Sequence, residues 1–400
     1  MLEVVSLQTA KEIIEQHILP NDEIEYVSLE NAVGRILAQD VVAHEDVPNF
    51  NRSTVDGYAV IAADTYGASE SIPAMLNVVG EVEMGKIAQL DILNNQCVKI
   101  STGGMLPEGA NAVVMLEHTE EALDGLCLCQ RAVSPFENVV RKGDDVRRGD
   151  FLIKSSSVLT ASQIGILCAL GIDRVAVKKR VKIGIISTGD ELVEIDKPLT
   201  AGRVRDINSY LLNSCCERLG CESVMYGIIK DDYAEISGSI KKACDECDIV
   251  LISGGSSAGA RDMTVNAVNE LGKTYFHGVA MKPGKPSIFG VVENKAVFGL
   301  PGHPLAAFFV FEQLVKYAVS VMNNAQYTSV VLERKMISNV SSNNGREDFV
   351  CVKIIDDEYA CCVPAKSGII SVLNSADGYI TIPRNAEGIK AHEKVRITLL

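Results

Sequence analysis

The chain has 400 residues, 47% of them hydrophobic and 22% charged, so it has room for roughly two to four domains and is too apolar to be a disordered polymer. Its 38 Lys and Arg against 52 Asp and Glu leave a net charge of −14 with no basic stripe, which argues against nucleic acid bound by phosphate neutralisation. Any anionic ligand must therefore be met by a local pocket.

The N-terminal "MLEVVSLQTAKEIIEQHI" lacks the basic, apolar, then small-residue order of a signal peptide, and no run of about 18 apolar residues occurs. The expectation is a cytoplasmic protein with no membrane partner. Twelve cysteines include Cys215-Cys216, Cys361-Cys362 and the "CDEC" of Cys244 and Cys247. No second pair completes a zinc spacing, so they read as indifferent thiols in a reducing compartment.

In chain order, "TAKEIIEQHIL" and "SLENAVGRILAQDVVA" have helical apolar spacing, with a Thr and a Ser suited to capping. Residues 47–141 carry short alternating runs such as "GYAVIAAD", "LNVVGEV" and "CVKIST" between Gly and Pro, which predicts a small β domain. "LTASQIGILCALGI" returns to helix, so residues 1–46 and 142–178 are expected to form one helical segment split by that insert. Residues 179–326 alternate strand and helix, which predicts a mostly parallel sheet covered on both faces. Residues 327–400 read as strands alone, a barrel or a sandwich.

In an open parallel sheet, ligands bind beyond the carboxyl ends of the strands, and three loops fall there: "STGDEL", "SGGSSAGARDMT" and "LPGHPLAA". Ser187, Thr188, Gly189, Ser253, Gly254, Gly255 and Ser256 offer hydroxyls and close backbone N–H groups to an oxyanion. Neither G-x-x-x-x-G-K-[ST] nor G-x-G-x-x-G is present, so a standard P-loop or NAD site is not supported. Lys282 and Lys285 of "MKPGKPSIFG" flank a Pro-Gly turn and suit a phosphate. Asp190, Glu191, Asp231, Asp232 and Asp262 fit Mg²⁺ shared between carboxylates and phosphate oxygens. Each also suits a helix start, where Asp262 is expected. His277 and His303 stand in turns and read as polar contacts. The β insert presents two polar loops, "DVPNFNRSTVDGYAV" and "STGGMLPEGANAVV".

Taken in order, "NRSTVDGYAV", "STGGMLPEGANAVVM", "STGDELV", "GIIKDD", "SGGSSAGARDMT", "MKPGKP" and "GLPGHP" resemble the molybdopterin molybdenumtransferase family, to which the C-terminal part of gephyrin is also similar. The resemblance runs from about residue 5 to the end. It implies an enzyme that takes adenylated molybdopterin and molybdate, inserts molybdenum at the pterin dithiolene and releases AMP with Mg²⁺ involved. It also implies a four-domain homodimer: a three-layer αβα molybdopterin-binding domain, a β-rich insert, a split helical segment and a C-terminal β-barrel-like domain.

By motif, Asp56, Thr102, Glu191, Asp231 and Asp262 look like the functional polar residues, with Glu191, Asp231 and Asp262 as Mg²⁺ ligands. Lys282, Lys285, Pro301 and Pro304 look like the pocket wall, and Asp56 and Thr102 are expected to reach the site across a dimer interface. Several positions depart from the family pattern. The loop reads Ser-Ser-Ala-Gly instead of Val-Ser-Val-Gly, Met263 replaces Tyr, His303 replaces Asn, and Gly278 stands where a basic residue is common. These bear on the choice between molybdate and tungstate. Two other readings remain at this level: the upstream molybdopterin adenylyltransferase, which is also a possible partner, and a non-catalytic scaffold on the same fold.

Overall fold

The computed structural model describes residues 4–122, 125–254, 258–364 and 368–400, with backbone alone at 258–261. The chain divides into two compact units. One comprises Gln39–Ser155 with Ala161–Val175, and the other Met1–Ala38, Ser156–Thr160 and Ala176–Leu400.

The smaller unit is built on a six-stranded sheet in the order Ala112–Met115, Gly57–Val60, Gln96–Ile100, Ala74–Val82, Leu126–Cys129, Thr119–Ala122. Its central strands are buried on both faces: Tyr58, Val60 and Cys97 enter one core, Ala59, Val98 and Ile100 another. Gly57 pairs with Ile100, which brings the residues just outside these two strands to one end of the sheet. A Cβ on Gly57 would lie 1.9 Å from the Val114 carbonyl oxygen, so this strand start accepts only glycine.

The segment expected to be helical is mostly not. Leu7–His17 and Ala161–Ala169 are helices, but "SLENAVGRILAQDVVA" holds only a 3₁₀ turn, Leu29–Asn31. Ile24–Ser28 pairs with Arg174–Lys178, and Val41–Val42 with Phe151–Ile153. Ala32, Ile36 and Leu37 are buried at helix-like spacing, yet Gly34 takes φ +76° and Leu37 bridges to Val177. Tertiary pairing outweighs the local period here. The caps also differ: Ser6, not Thr9, caps the first helix, accepting from the Thr9 N–H at 3.0 Å, and Ser28 makes no side-chain cap.

In the larger unit, a sheet comprises β1 (Lys182–Thr188), β2 (Glu222–Ile229), β3 (Ile249–Gly254), β4 (Gly272–His277), β5 (Ile288–Val292) and β6 (Lys295–Pro301). Its order is β2-β1-β3-β6-β5-β4, with the first four parallel and β5 antiparallel to both neighbours. Helices cover both faces, as the alternation predicts. Tyr233–Glu246 and Ala258–Leu271 bury one face with Ile236, Ile240 and Val268, while Asn208–Arg218 and the helix starting at Pro304 bury the other with Leu212, Ala307 and Phe309. The helical stretch Pro304–Asn323 is apolar and long, and it is two-thirds buried as a core element.

The C-terminal strands Glu347–Ile354, Tyr359–Cys362, Val331–Met336, Lys394–Leu399 and Gly378–Ile382 pair in a ring that closes between the first and last of these. This resolves the barrel-or-sandwich alternative in favour of a barrel, filled by Met336, Val352, Ile380 and Ile397. The short strand Met281–Lys282 adds in parallel to Glu347–Ile354, so the Lys-Pro-Gly-Lys turn is attached directly to the barrel.

All twelve cysteines are free. Burial pushes the thiols of Cys215 and Cys244 up to about 12, which leaves them protonated and unreactive.

Candidate active site

Residues at the carboxyl ends of β1, β3 and β6 line two cavities that, among the described residues, share His303. The smaller, about 350 Å³, is lined by Thr188, Glu191, Asn208, Ser253, Gly254 and Pro304, among others. The larger, about 740 Å³, has Lys282, Lys285, Pro301, Arg346 and Asp348 in its wall.

The smaller cavity depends on a close approach of two strand ends. Thr188 and Gly254 are register partners, Gly254 takes φ +148°, and a Cβ there would lie 2.1 Å from the Thr188 carbonyl oxygen. Glycine alone allows that approach. Ser187 is fully buried, and its hydroxyl donates to Asp206 Oδ1 at 2.9 Å and meets Ser209 Oγ at 2.8 Å. It therefore braces the loop from within the wall of the smaller cavity. Asn208 joins two loops, its Nδ2 donating to Ser253 Oγ at 2.7 Å and to the Gly302 carbonyl at 3.0 Å. The sequence reading missed Asp206 and Asn208. Their signal was "RDINSY", a cluster of short polar side chains directly before a helical run.

The acids divide by partner. Asp232 caps Tyr233–Glu246, accepting from the Ala234 and Glu235 N–H groups at 3.0 and 3.1 Å. Asp231 does not cap; its N–H donates to Asp190 Oδ1 at 3.5 Å, and its own Oδ1 is buried with no hydrogen-bond partner among the described residues. Burial, then the charges of Asp190 and Glu191, push the Asp231 carboxyl above its ordinary range. Asp190 and Glu191 are exposed on the turn after β1, where Arg203 donates to the Asp190 carbonyl. Gly189, with φ +150°, lies against the Glu191 carboxylate.

Asp262 is not at its helix start. The helix begins at Ala258, which puts the exposed Asp262 in the second turn, beyond the reach of a cap. Among the described residues, no three His, Cys, Asp or Glu side chains are grouped to hold a metal ion, so the expected Glu191, Asp231 and Asp262 cage is not assembled. Glu191 and Asp231 still fit Mg²⁺, which commonly takes one or two carboxylates and completes its shell with phosphate and water. The partnerless Asp231 oxygen is the observation that favours them. Gly255 and Ser256 lie outside the described residues.

The two lysines are not equivalent. Lys282 Nζ donates to Asp348 Oδ2 at 2.8 Å, and that buried carboxylate also accepts from Ser342 Oγ at 3.1 Å. Lys285 is exposed in the cavity wall beside Arg346, which the sequence reading did not single out. His277 ends β4 and lines neither cavity. Gly278 takes φ +120°, a conformation that favours glycine. In the smaller unit, Asp56 and Thr102 meet: Asp56 Oδ1 accepts from the Thr102 N–H at 2.7 Å and its hydroxyl at 3.1 Å.

Hydroxyls and glycines at the carboxyl ends of a three-layer αβα sheet, with cations next to a closed barrel, make a lining whose chemistry suits a bulky anionic ligand. Comparison with known proteins carries this further. The model "MoeA N-terminal region (domain I and II)" matches residues 5–171, "Probable molybdopterin binding domain" residues 184–320, and "MoeA C-terminal region (domain IV)" residues 334–400. A Methanocaldococcus jannaschii protein named for molybdopterin biosynthesis is 37% identical, covering 99% of this chain and 98% of its own. The molybdopterin molybdenumtransferase of Haemophilus influenzae is 37% identical, covering 77% of this chain and 75% of its own. A solved molybdopterin biosynthesis moeA protein from Pyrococcus horikoshii superposes with a TM-score of 0.87 at 34% identity over 100% of both chains. The chain belongs to the molybdopterin molybdenumtransferase family.

Proposed function

We propose that the chain inserts molybdenum from molybdate into adenylated molybdopterin and releases AMP. The observation that carries this reading is the pair of cavities meeting at His303 in a chain that matches the family along nearly its whole length. One cavity offers hydroxyls and close backbone to a phosphorylated heterocycle, and the other offers cations to an oxyanion. In the reaction water cleaves the phosphoanhydride into AMP and the pterin phosphate, and two molybdenum–sulfur bonds form as one molybdenum–oxygen bond breaks, that oxygen leaving as water with the two dithiolene thiol protons, so molybdenum keeps its oxidation state.

Lys285 and Arg346 hold negative charge on the molybdate or phosphate oxygens, while Asp348 keeps Lys282 in place at the wall. Thr188 and the Gly254 backbone bound the phosphate side. Glu191 and Asp231 would hold Mg²⁺, which supplies charge neutralisation at the departing phosphate. Tungstate has the same shape and charge and is the competing oxyanion. A cytoplasmic location is supported by twelve free thiols. A homodimer in which Asp56 and Thr102 of one copy complete the site of the other is part of this proposal.

The test is incubation with adenylated molybdopterin, Mg²⁺ and either molybdate or tungstate, with AMP and metal-bound cofactor quantified. Oxyanion-dependent AMP release supports the reading. Absence of release, or consumption of ATP with free molybdopterin, overturns it, the latter in favour of the adenylyltransferase.

A further inference from the structure

Among the described residues, His303 is the one common to the two cavities. Its neighbours divide between them: Pro301 lines only the larger, Pro304 only the smaller. The turn carrying it is rigid. Pro301 ends β6, Pro304 opens a helix, and the His303 carbonyl accepts from the Ala306 and Ala307 N–H groups at 3.0 and 2.9 Å. Asn208 holds the Gly302 carbonyl from the other side. The imidazole therefore leaves a fixed backbone, and its Cδ2 faces the bare backbone of Gly368 from the barrel segment, 3.9 Å from where a Cβ would stand.

The charges around it differ in sign. The larger cavity brings Lys282, Lys285 and Arg346 with Asp348, and the smaller brings Glu191, Asp206 and Arg205. A ligand filling both must have a link that passes His303, and in a heterocycle joined to a nucleotide by a phosphoanhydride that link is the most anionic part.

We propose that His303 contacts the phosphoanhydride of the substrate, donating a hydrogen bond to a phosphate oxygen that departs with AMP and so fixing where the two halves of the ligand divide. The inference rests on the proposed function and assigns a specificity-determining residue within it. Asparagine at this position also offers a donor, so the contact survives His303→Asn in weaker form, whereas His303→Ala removes it.

The experiment uses the full-length protein in wild-type, His303→Asn and His303→Ala forms. Three measurements are made on each: binding of AMP alone, binding of molybdate alone, and AMP release from adenylated molybdopterin. The expected result is a loss of about tenfold or more in AMP affinity and in kcat/KM for His303→Ala, with partial recovery in His303→Asn and unchanged molybdate affinity. An unchanged unfolding midpoint confirms that the loss is local. His303→Ala with AMP affinity and turnover within twofold of wild type overturns this inference alone. An equal loss in molybdate affinity also overturns it, since His303 then acts on the oxyanion cavity. Failure of the wild type to release AMP instead overturns the parent reading.

Discussion

Asp231 shows how one carboxylate is set apart from its neighbour. Asp232 satisfies two helix N–H groups, while Asp231 is pressed between burial and the charges of Asp190 and Glu191 with an oxygen left unbonded. Because its folded-state pKa is raised, the folded form binds the proton more tightly, and ionisation costs stability above that raised value. Asp231→Asn is therefore expected to raise the thermal midpoint at pH 7, with the gain shrinking as pH falls toward the ordinary aspartate range. AMP release should fall about 10- to 100-fold if the carboxylate helps hold Mg²⁺. Melting curves across pH and an AMP assay check both halves, and a variant that loses stability at pH 7 would contradict the account.

The lysines provide a second contrast at the same scale. Lys282→Ala leaves the buried Asp348 carboxylate with Ser342 as its remaining side-chain partner among the described residues and should cost about 1–3 kcal/mol in urea unfolding. Lys285→Ala breaks no ion pair among the described residues and should leave the urea midpoint unchanged while weakening molybdate binding, so the two variants separate stability from ligand affinity.

Among the elements, the ends of β1 and β3 are the most exacting. Their parallel pairing continues to Thr188 and Gly254, and the space between those residues is smaller than a methyl group. Gly254→Ala should destabilise the protein by about 2 kcal/mol or more and impair AMP binding in proportion, because the β3 end must move away from the smaller cavity. A Gly254→Ala protein with wild-type stability and AMP affinity would show that the strand ends are not a rigid wall. The strand Met281–Lys282 makes a related point: it carries a site lysine yet belongs by hydrogen bonding to the barrel, so the α/β sheet and the barrel hold the larger cavity jointly.

For the molecule as a whole, a net charge of −14 and a cationic cavity wall are compatible because Lys282, Lys285 and Arg346 are gathered by two loops, not by bulk composition. Asp56 and Thr102 belong to the smaller unit and Lys285 to the larger. If the site is completed by a second copy, mixing Asp56→Ala with Lys285→Ala chains creates heterodimers with one intact site each. Random pairing should then restore about a quarter of wild-type turnover from two inactive parents. Recovery is measured by AMP release after co-refolding or co-expression, and no recovery in a verified heterodimer would place all site residues within one copy.

Much of this architecture is written in local pattern. Strand and helix alternation sets the mostly parallel sheet, and that sheet brings Thr188, Gly254 and Pro301, from the starts of "STGDEL", "SGGSSAGARDMT" and "LPGHPLAA", to the same strand ends. Glycines that steric demand requires, Gly57 and Gly254, stand inside the motifs. Tertiary structure alone decided which of two adjacent aspartates caps a helix, that Ser187 turns inward to Asp206, that Lys282 pairs with a carboxylate 66 residues away, and that residues 24–42 form short strands instead of a helix. The physical reason is range. Periodicity and backbone sterics act within a few residues, whereas the partner that satisfies or strands a buried polar group comes from wherever the chain returns.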